Sequence, residues 1–253
     1  MTSEFWFPLV GFGASFLAGV SGVGSGSLVT PALIFAGLAP LTAVGTDLAY
    51  AAVSKTVAAS YHWTLGSVRL PTVLRLAAGS VPGGVAGSLI LPVFGPSLGL
   101  DPERWTARVL AMALLLAAVA SLLPTHEAAG PESLERRELS WPMAIVTGWG
   151  VGLIVGATSV GGGALLGAIL LTWCRWDIRT VVGSDLAHAA LLAAAAALTK
   201  GAVGQLDLGI VTLLLAGGIP GAMVGTWMCH RLPQRPLRLI MSVAIGYAAW
   251  RLL

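Results

Sequence analysis

The stretch VGTDLAYAA at residues 44–52 returns as VGSDLAHAA at 182–190, and AGSVPGGVAGS at 78–88 returns as AGGIPGAMVGT at 216–226, both 138 positions later. VGSGSL at 23–28 is answered by VGGGAL at 160–165, one position short of the same register. A chain written twice folds as two copies of one unit. Its apolar runs say what kind of unit. They lie at about 5–20, 26–38, 42–63, 70–92, 106–123, 141–158, 164–174, 178–199, 207–229 and 236–252, two sets of five.

The hydrophobic share is 56%, with 14 Lys and Arg and 11 Asp and Glu among 253 residues, and the mean hydropathy is +0.86. So few charges cannot cover a soluble domain, so lipid covers much of the surface. The expected fold is an all-α integral membrane protein: a polytopic helical bundle with residues 1–123 as the first membrane repeat, 124–140 as a cytoplasmic linker and 141–253 as the second repeat. The opening MTSEFWFPLVGFG carries no Lys or Arg, so no removable signal peptide is expected and the first helix stays. Basic residues sit at the ends of apolar runs and form no stripe, which makes them topology signals and excludes a nucleic-acid partner. Cys174 and Cys229 lack metal-site spacing and are too few for a disulfide framework. They read as inert thiols.

With ten alternating segments, one side holds Arg69, Arg75, Arg136, Arg137, Arg175, Arg179, Arg231, Arg235 and Arg238, and the other Arg104, Arg108, Lys200 and Arg251. The richer side is cytoplasmic, and both termini lie outside. An odd number of segments per repeat makes the repeats inverted. If each glycine-broken pair made a single crossing instead, the repeats would be parallel and the charges would split almost evenly. The second and seventh segments are short, reaching only about 20 Å of a roughly 30 Å core. Each repeat is therefore expected to contain a short helix or hairpin whose glycine-rich end lies inside the protein.

Non-helical backbone at membrane depth is tolerated where protein buries it or it lines a water-filled cavity. Its occurrence at matching places in two repeats points to a substrate site. Gly24, Ser25, Gly26 and Ser27 form one such loop, and Gly161, Gly162 and Gly163 the other. Converging N–H groups and the positive end of the following helix suit an anion. Ser21, Thr158 and Ser159 add hydroxyl donors. The alternative is that small residues simply let helices pack closely. No Gly-Lys-Ser/Thr ending is present, so a phosphate-binding loop and ATP are not expected.

Asp47, Lys55 and His62 fall within the third apolar segment, and Asp185 and His188 within the eighth. Each Asp or Lys near a helix centre costs about 2.5–3.5 kcal/mol to insert, so these residues have partners or a purpose. Asp185 and His188 share a helix face and can exchange a proton. Lys55 and His188 together place one fixed and one titratable positive charge near mid-membrane, suited to an anion coupled to protons. For Asp47 and Asp185 a second reading stands beside proton coupling: an acid in the first turns of a helix, stabilising its start. His62, between Tyr61 and Trp63, reads as part of an interfacial aromatic belt. Pro82 and Pro220 read as helix kinks.

GVGSGSLVTPALIFAGLAPLTAVGTDL, HWTLGSVRLPTVLRLAAGSVPGGVAGS and VVGSDLAHAALL with GQLDLGIVTLLLAGGIPGAMVGT resemble the TauE/SafE family of sulfite and organosulfonate exporters over the whole chain except the linker. The resemblance implies transport of a small inorganic or organic sulfur anion across the bacterial inner membrane. It makes Gly24, Ser25, Gly26, Gly161, Gly162 and Gly163 loop positions, and Asp47, Lys55, Asp185 and His188 polar positions. The function expected is a proton-coupled secondary transporter exporting such an anion by alternating access, with no cofactor or metal. An anion channel of the same fold is the alternative, and a membrane-embedded enzyme a more remote one, since no base and nucleophile stand at short spacing.

Overall fold

The structure, a computed structural model, describes residues 5–22, 25–122, 138–174, 176–229 and 234–252. Every regular element among them is helical: α1 Trp6–Ser21, α2 Gly26–Phe35, α3 Pro40–Thr64, α4 Leu70–Leu89, α5 Pro102–Leu122, α6 Trp141–Thr158, α7 Gly162–Ile169, α8 Ile178–Ala202, α9 Leu208–Met228 and α10 Gln234–Leu252. The ten apolar runs are ten helices. Most of the linker, and Gly24 of the first loop, lie outside the described residues.

Local chemistry sets the helix starts. Proline stands at the beginning of α3, α4 and α6, where its missing N–H costs nothing. Asp177 caps α8, its carboxylate accepting from the N–H groups of Arg179 and Thr180 at 3.1 Å, and Asp207 caps α9 through Ile210 N–H at 3.0 Å. α4 continues through a π-helical stretch Ile90–Phe94, and together they make 25 residues. That span, α6, α8 and α9 are long and apolar enough to cross a membrane. α2 has only 10 helical residues and α7 only 8, about 15 and 12 Å. Leu9, Met112, Val119, Val146, Leu198, Val243 and Trp250 are exposed, a surface suited to lipid.

The halves interlock. α1 packs along α9, α4 along α6, α3 on α8 and α5 on α10, so each large helix contact joins one half to the other. Lipid supplies no hydrophobic drive between helices, and close backbone approach does that work instead. Gly217, Gly221 and Gly225 of α9 stand against the backbone of Pro8, Phe12 and Phe16 on α1, and Gly79, Gly83 and Gly87 of α4 against Ile145, Trp149 and Leu153 on α6. A methyl group at any of the six would collide with that backbone. These are the same contacts made twice, once in each register of the duplication. Both helix pairs run parallel. Close small-residue packing thus joins α1 to α9 and α4 to α6.

α3 and α8 run antiparallel. Gly45, near the start of α3, abuts the Gln205 carbonyl beyond the end of α8, and Gly183, near the start of α8, abuts the Ser67 carbonyl beyond the end of α3. Thr46 Oγ1 accepts from Asp207 N–H at 3.0 Å, and Ser184 Oγ from Arg69 N–H at 2.9 Å. Each member of one contact is the repeat counterpart of a member of the other. Beyond the two helix ends, Gly66 and Gly204 take φ of 67° and 71°, a left-handed turn that favours glycine. α5 and α10 close the bundle through Leu110, Leu114, Ala117, Ile245 and Ala249.

Candidate functional site

α1 ends at Gly22, with φ 71°, and α6 ends at Ser159, with φ 62°. Gly22 N–H donates to Ala18 carbonyl and Ser159 N–H to Val155 carbonyl. The two turns are counterparts in the duplication, yet Ser159 is the one non-glycine residue with positive φ among those described. Each turn leads into the short helix of its own half. The two broken regions meet: the Cα of Gly26, first residue of α2, presses on the Ser159 backbone, and a methyl there would lie 3.0 Å from Asp47 Oδ2.

Asp47 is fully buried. Thr30 Oγ1 on α2 donates to its Oδ2 at 2.5 Å, the Ser159 hydroxyl lies beside it, and its Oδ1 has no hydrogen-bond partner among the described residues. The hydroxyls of Ser25 and Ser159 are likewise buried without partners there. Ser27, Gly26 and Ser25 are all buried at the head of α2, and Gly161, Gly162 and Gly163 at the head of α7. Gly161 takes φ 103°, closed to ordinary side chains. Gly162 meets only Val155 Cγ2, at 3.5 Å.

Lys55, two turns further along α3, is 7% exposed. Asp185 and Asp47 lie within its electrostatic reach, as does His188. The ion pairs among the described residues are Arg75–Glu138 and Arg104–Asp101, so the Lys55 ammonium is clamped by neither carboxylate. His188 Nε2 is 2.7 Å from Ser80 Oγ on α4, which turns it away from the pairing with Asp185 that their spacing suggested. One Asp185 oxygen and His188 Nδ1 are buried without partners among the described residues. Asp47, Lys55, Asp185 and His188 thus share the α3–α8 crossing, with the glycine-broken loop of α2 against one end of the cluster.

Two sequence readings are corrected. Asp47 and Asp185 are each the eighth residue of their helix, beyond the first turn whose N–H groups a carboxylate can cap. Pro40 and Asp177 begin those helices instead. His62 is no part of an exposed aromatic belt: it is fully buried, with Nδ1 2.9 Å from Ser67 Oγ and its ring against Gly183, while Trp63 is exposed. Adjacent residues on a helix point about 100° apart, so His62 and Trp63 part company. Cys174 and Cys229 are both buried thiols.

Sequence reasoning missed Thr30, Ser80 and Tyr50. Tyr50 is the repeat counterpart of His188, shares a 2.5 Å hydrogen bond with Ser15 Oγ, and packs on Gly218, the counterpart of Ser80. Positions where the two copies differ, Tyr for His and Gly for Ser, were the available signal.

The sulfite exporter TauE/SafE family model matches residues 7–252. The chain is 32% identical over 249 residues to a protein of Bacillus subtilis (strain 168) called probable membrane transporter protein YjnA, an alignment covering 97% of this chain and 98% of the relative. No solved structure matches. The chain belongs to the sulfite exporter TauE/SafE family, and with it to the membrane transporters rather than the enzymes.

Proposed function

We propose that the protein is a secondary transporter that exports a small sulfur-containing anion, sulfite or an organosulfonate, across the bacterial inner membrane by proton-coupled alternating access. The observation that carries this reading is Lys55: a buried ammonium with no direct ion pair among the described residues, at the crossing of one helix from each half, among Asp47, Asp185 and His188. Intramembrane charges face substrate or ion pathways, and a cation awaiting its counter-ion suits an oxyanion. Membership of the sulfite exporter family supplies the substrate class.

Inverted repeats fit the same reading. α3 and α8 are counterparts and antiparallel, which a two-fold axis lying in the membrane plane would produce. The arginine-rich side is then cytoplasmic. The Gly45 contact with Gln205 and the Gly183 contact with Ser67 form two clasps, one on each side of the buried cluster. Opening one at a time would expose the cluster to one side at a time.

Labelled sulfite and a labelled alkanesulfonate, offered to inverted membrane vesicles with and without a pH gradient, test this. Saturable uptake that responds to the gradient is expected. Ohmic single-channel currents in planar bilayers would favour an anion channel instead.

A further inference from the structure

The two loops are copies, but what surrounds them is not. Around the head of α2 stand Ser25, Thr30 and Ser159; their counterparts in the duplication are Gly162, Gly167 and Gly22. Asp47 and its counterpart Asp185 are retained on both sides. Ser159 holds a left-handed backbone that its counterpart satisfies with glycine, so a side chain is present where the backbone disfavours one. The Ser159 hydroxyl lies beside the Asp47 carboxylate, whose Oδ2 is the oxygen that faces the first residue of α2; the hydroxyl of Ser25, the residue that precedes α2, and Asp47 Oδ1 are buried without partners among the described residues. Buried polar atoms without partners in a built site mark where a ligand belongs.

Resting on the transporter reading above, we propose that each chain binds a single oxyanion, at the head of α2, and that Asp47 takes up one proton as the anion enters. The anion accepts hydrogen bonds from Ser159 and Ser25, faces the positive end of α2, and lies in the field of Lys55, which reaches Asp47 from two turns along α3. Thr30 holds Asp47 Oδ2, leaving Oδ1 toward the anion. A carboxylate and an oxyanion cannot both stay ionised in one dry seat. The proton from solution lands on Oδ1, and that O–H donates to the anion. Of the titratable groups facing Asp47, Lys55 and Tyr50 lie on its own helix; on α8, Asp185 and His188 are coupled to Lys55, while Arg179 and Lys200 stand at its two ends; α2 and the Ser159 turn contribute hydroxyls. Anion and proton then travel in the same direction. The α7 loop, with glycine at all three places, offers no second seat.

The test is titration calorimetry on the purified full-length protein, with sulfite and with methanesulfonate, which has no titrating group near neutral pH, in buffers of different ionisation enthalpy. Expected are one anion per chain, about one proton taken up per anion, and an affinity that falls about tenfold per pH unit once Asp47 is ionised in the free protein. Asp47→Asn keeps the shape of the protonated acid, so it should bind with no proton uptake and a flat pH profile. Ser159→Gly should weaken binding about tenfold or more while raising the melting temperature, because glycine relieves the backbone; a merely structural serine would move neither in that combination. Binding without proton uptake by the wild type, two anions per chain, or an unaltered pH profile in Asp47→Asn would overturn the proposal and leave the transporter reading standing. Failure of the wild type to bind either anion would overturn both.

Discussion

Alanine at Gly45 and at Gly183 should push the protein in opposite directions. A methyl on Gly183 would sit 2.7 Å from the Ser67 carbonyl oxygen and 3.1 Å from His62 Nδ1; one on Gly45 would strike the Gln205 carbonyl oxygen and stand 3.1 Å from Lys200 Cβ. Backbone is the obstacle in each case, so the helix end has to move. Overpacking of this kind costs about 1–3 kcal/mol, and the cost falls only on conformations in which that clasp is closed. It therefore shifts the balance between open and closed clasp by roughly 5- to 150-fold. Spin labels at exposed Thr64 and Arg179 report the end of the α3–α8 pair closed by Gly183, and labels at exposed Ala39 and Val203 the end closed by Gly45. Pulsed electron–electron distance measurements should find Thr64–Arg179 lengthened in Gly183→Ala with Ala39–Val203 unchanged, and the reverse in Gly45→Ala. Opening of the same end by both variants, or of neither, would refute the two-clasp account.

A periplasmic reporter fused after Leu253 should be active and one inserted near Gly130 inactive, as the arginine distribution requires; activity near Gly130 would reverse the orientation. Gly26→Ala should abolish transport by protein that still reaches the membrane, since its methyl would collide with Ser159 and crowd Asp47, and wild-type transport would reduce the loop to packing. Lys55→Met should weaken anion binding at least tenfold at every pH, because methionine keeps the length without the charge, whereas His188→Gln should leave both binding and its response to pH close to wild type, since Asp47 carries the proton. Binding isotherms across a pH series separate the two.

The ten helices were legible because each is an apolar run, and several carry their own boundary chemistry: proline or aspartate at the starts of α3, α4, α6, α8 and α9, and glycine just beyond the ends of α1, α3 and α8. The duplication announced that contacts would come in pairs. It did not say which helices pair, because a GxxxG face names no partner: Gly217 meets Pro8 rather than any residue of its own half only through the threading of the whole chain. The polar cluster was half legible. Asp47, Lys55, Asp185 and His188 stood out as charges in apolar runs, but Thr30 and Ser80 are ordinary hydroxyls until the fold sets them on Asp47 and His188. His62 misled because its exposed neighbour in sequence, Trp63, faces outward while its own ring is enclosed by Ser67 and Gly183.

The most direct test of the account is counterflow in proteoliposomes holding the purified chain: labelled sulfite outside, unlabelled sulfite inside or absent. The account predicts saturable entry that unlabelled sulfite inside accelerates, carries no steady current, and is lost in Lys55→Met. Entry that rises linearly with concentration, ignores internal sulfite and survives Lys55→Met would contradict both alternating access and the buried cluster as its site.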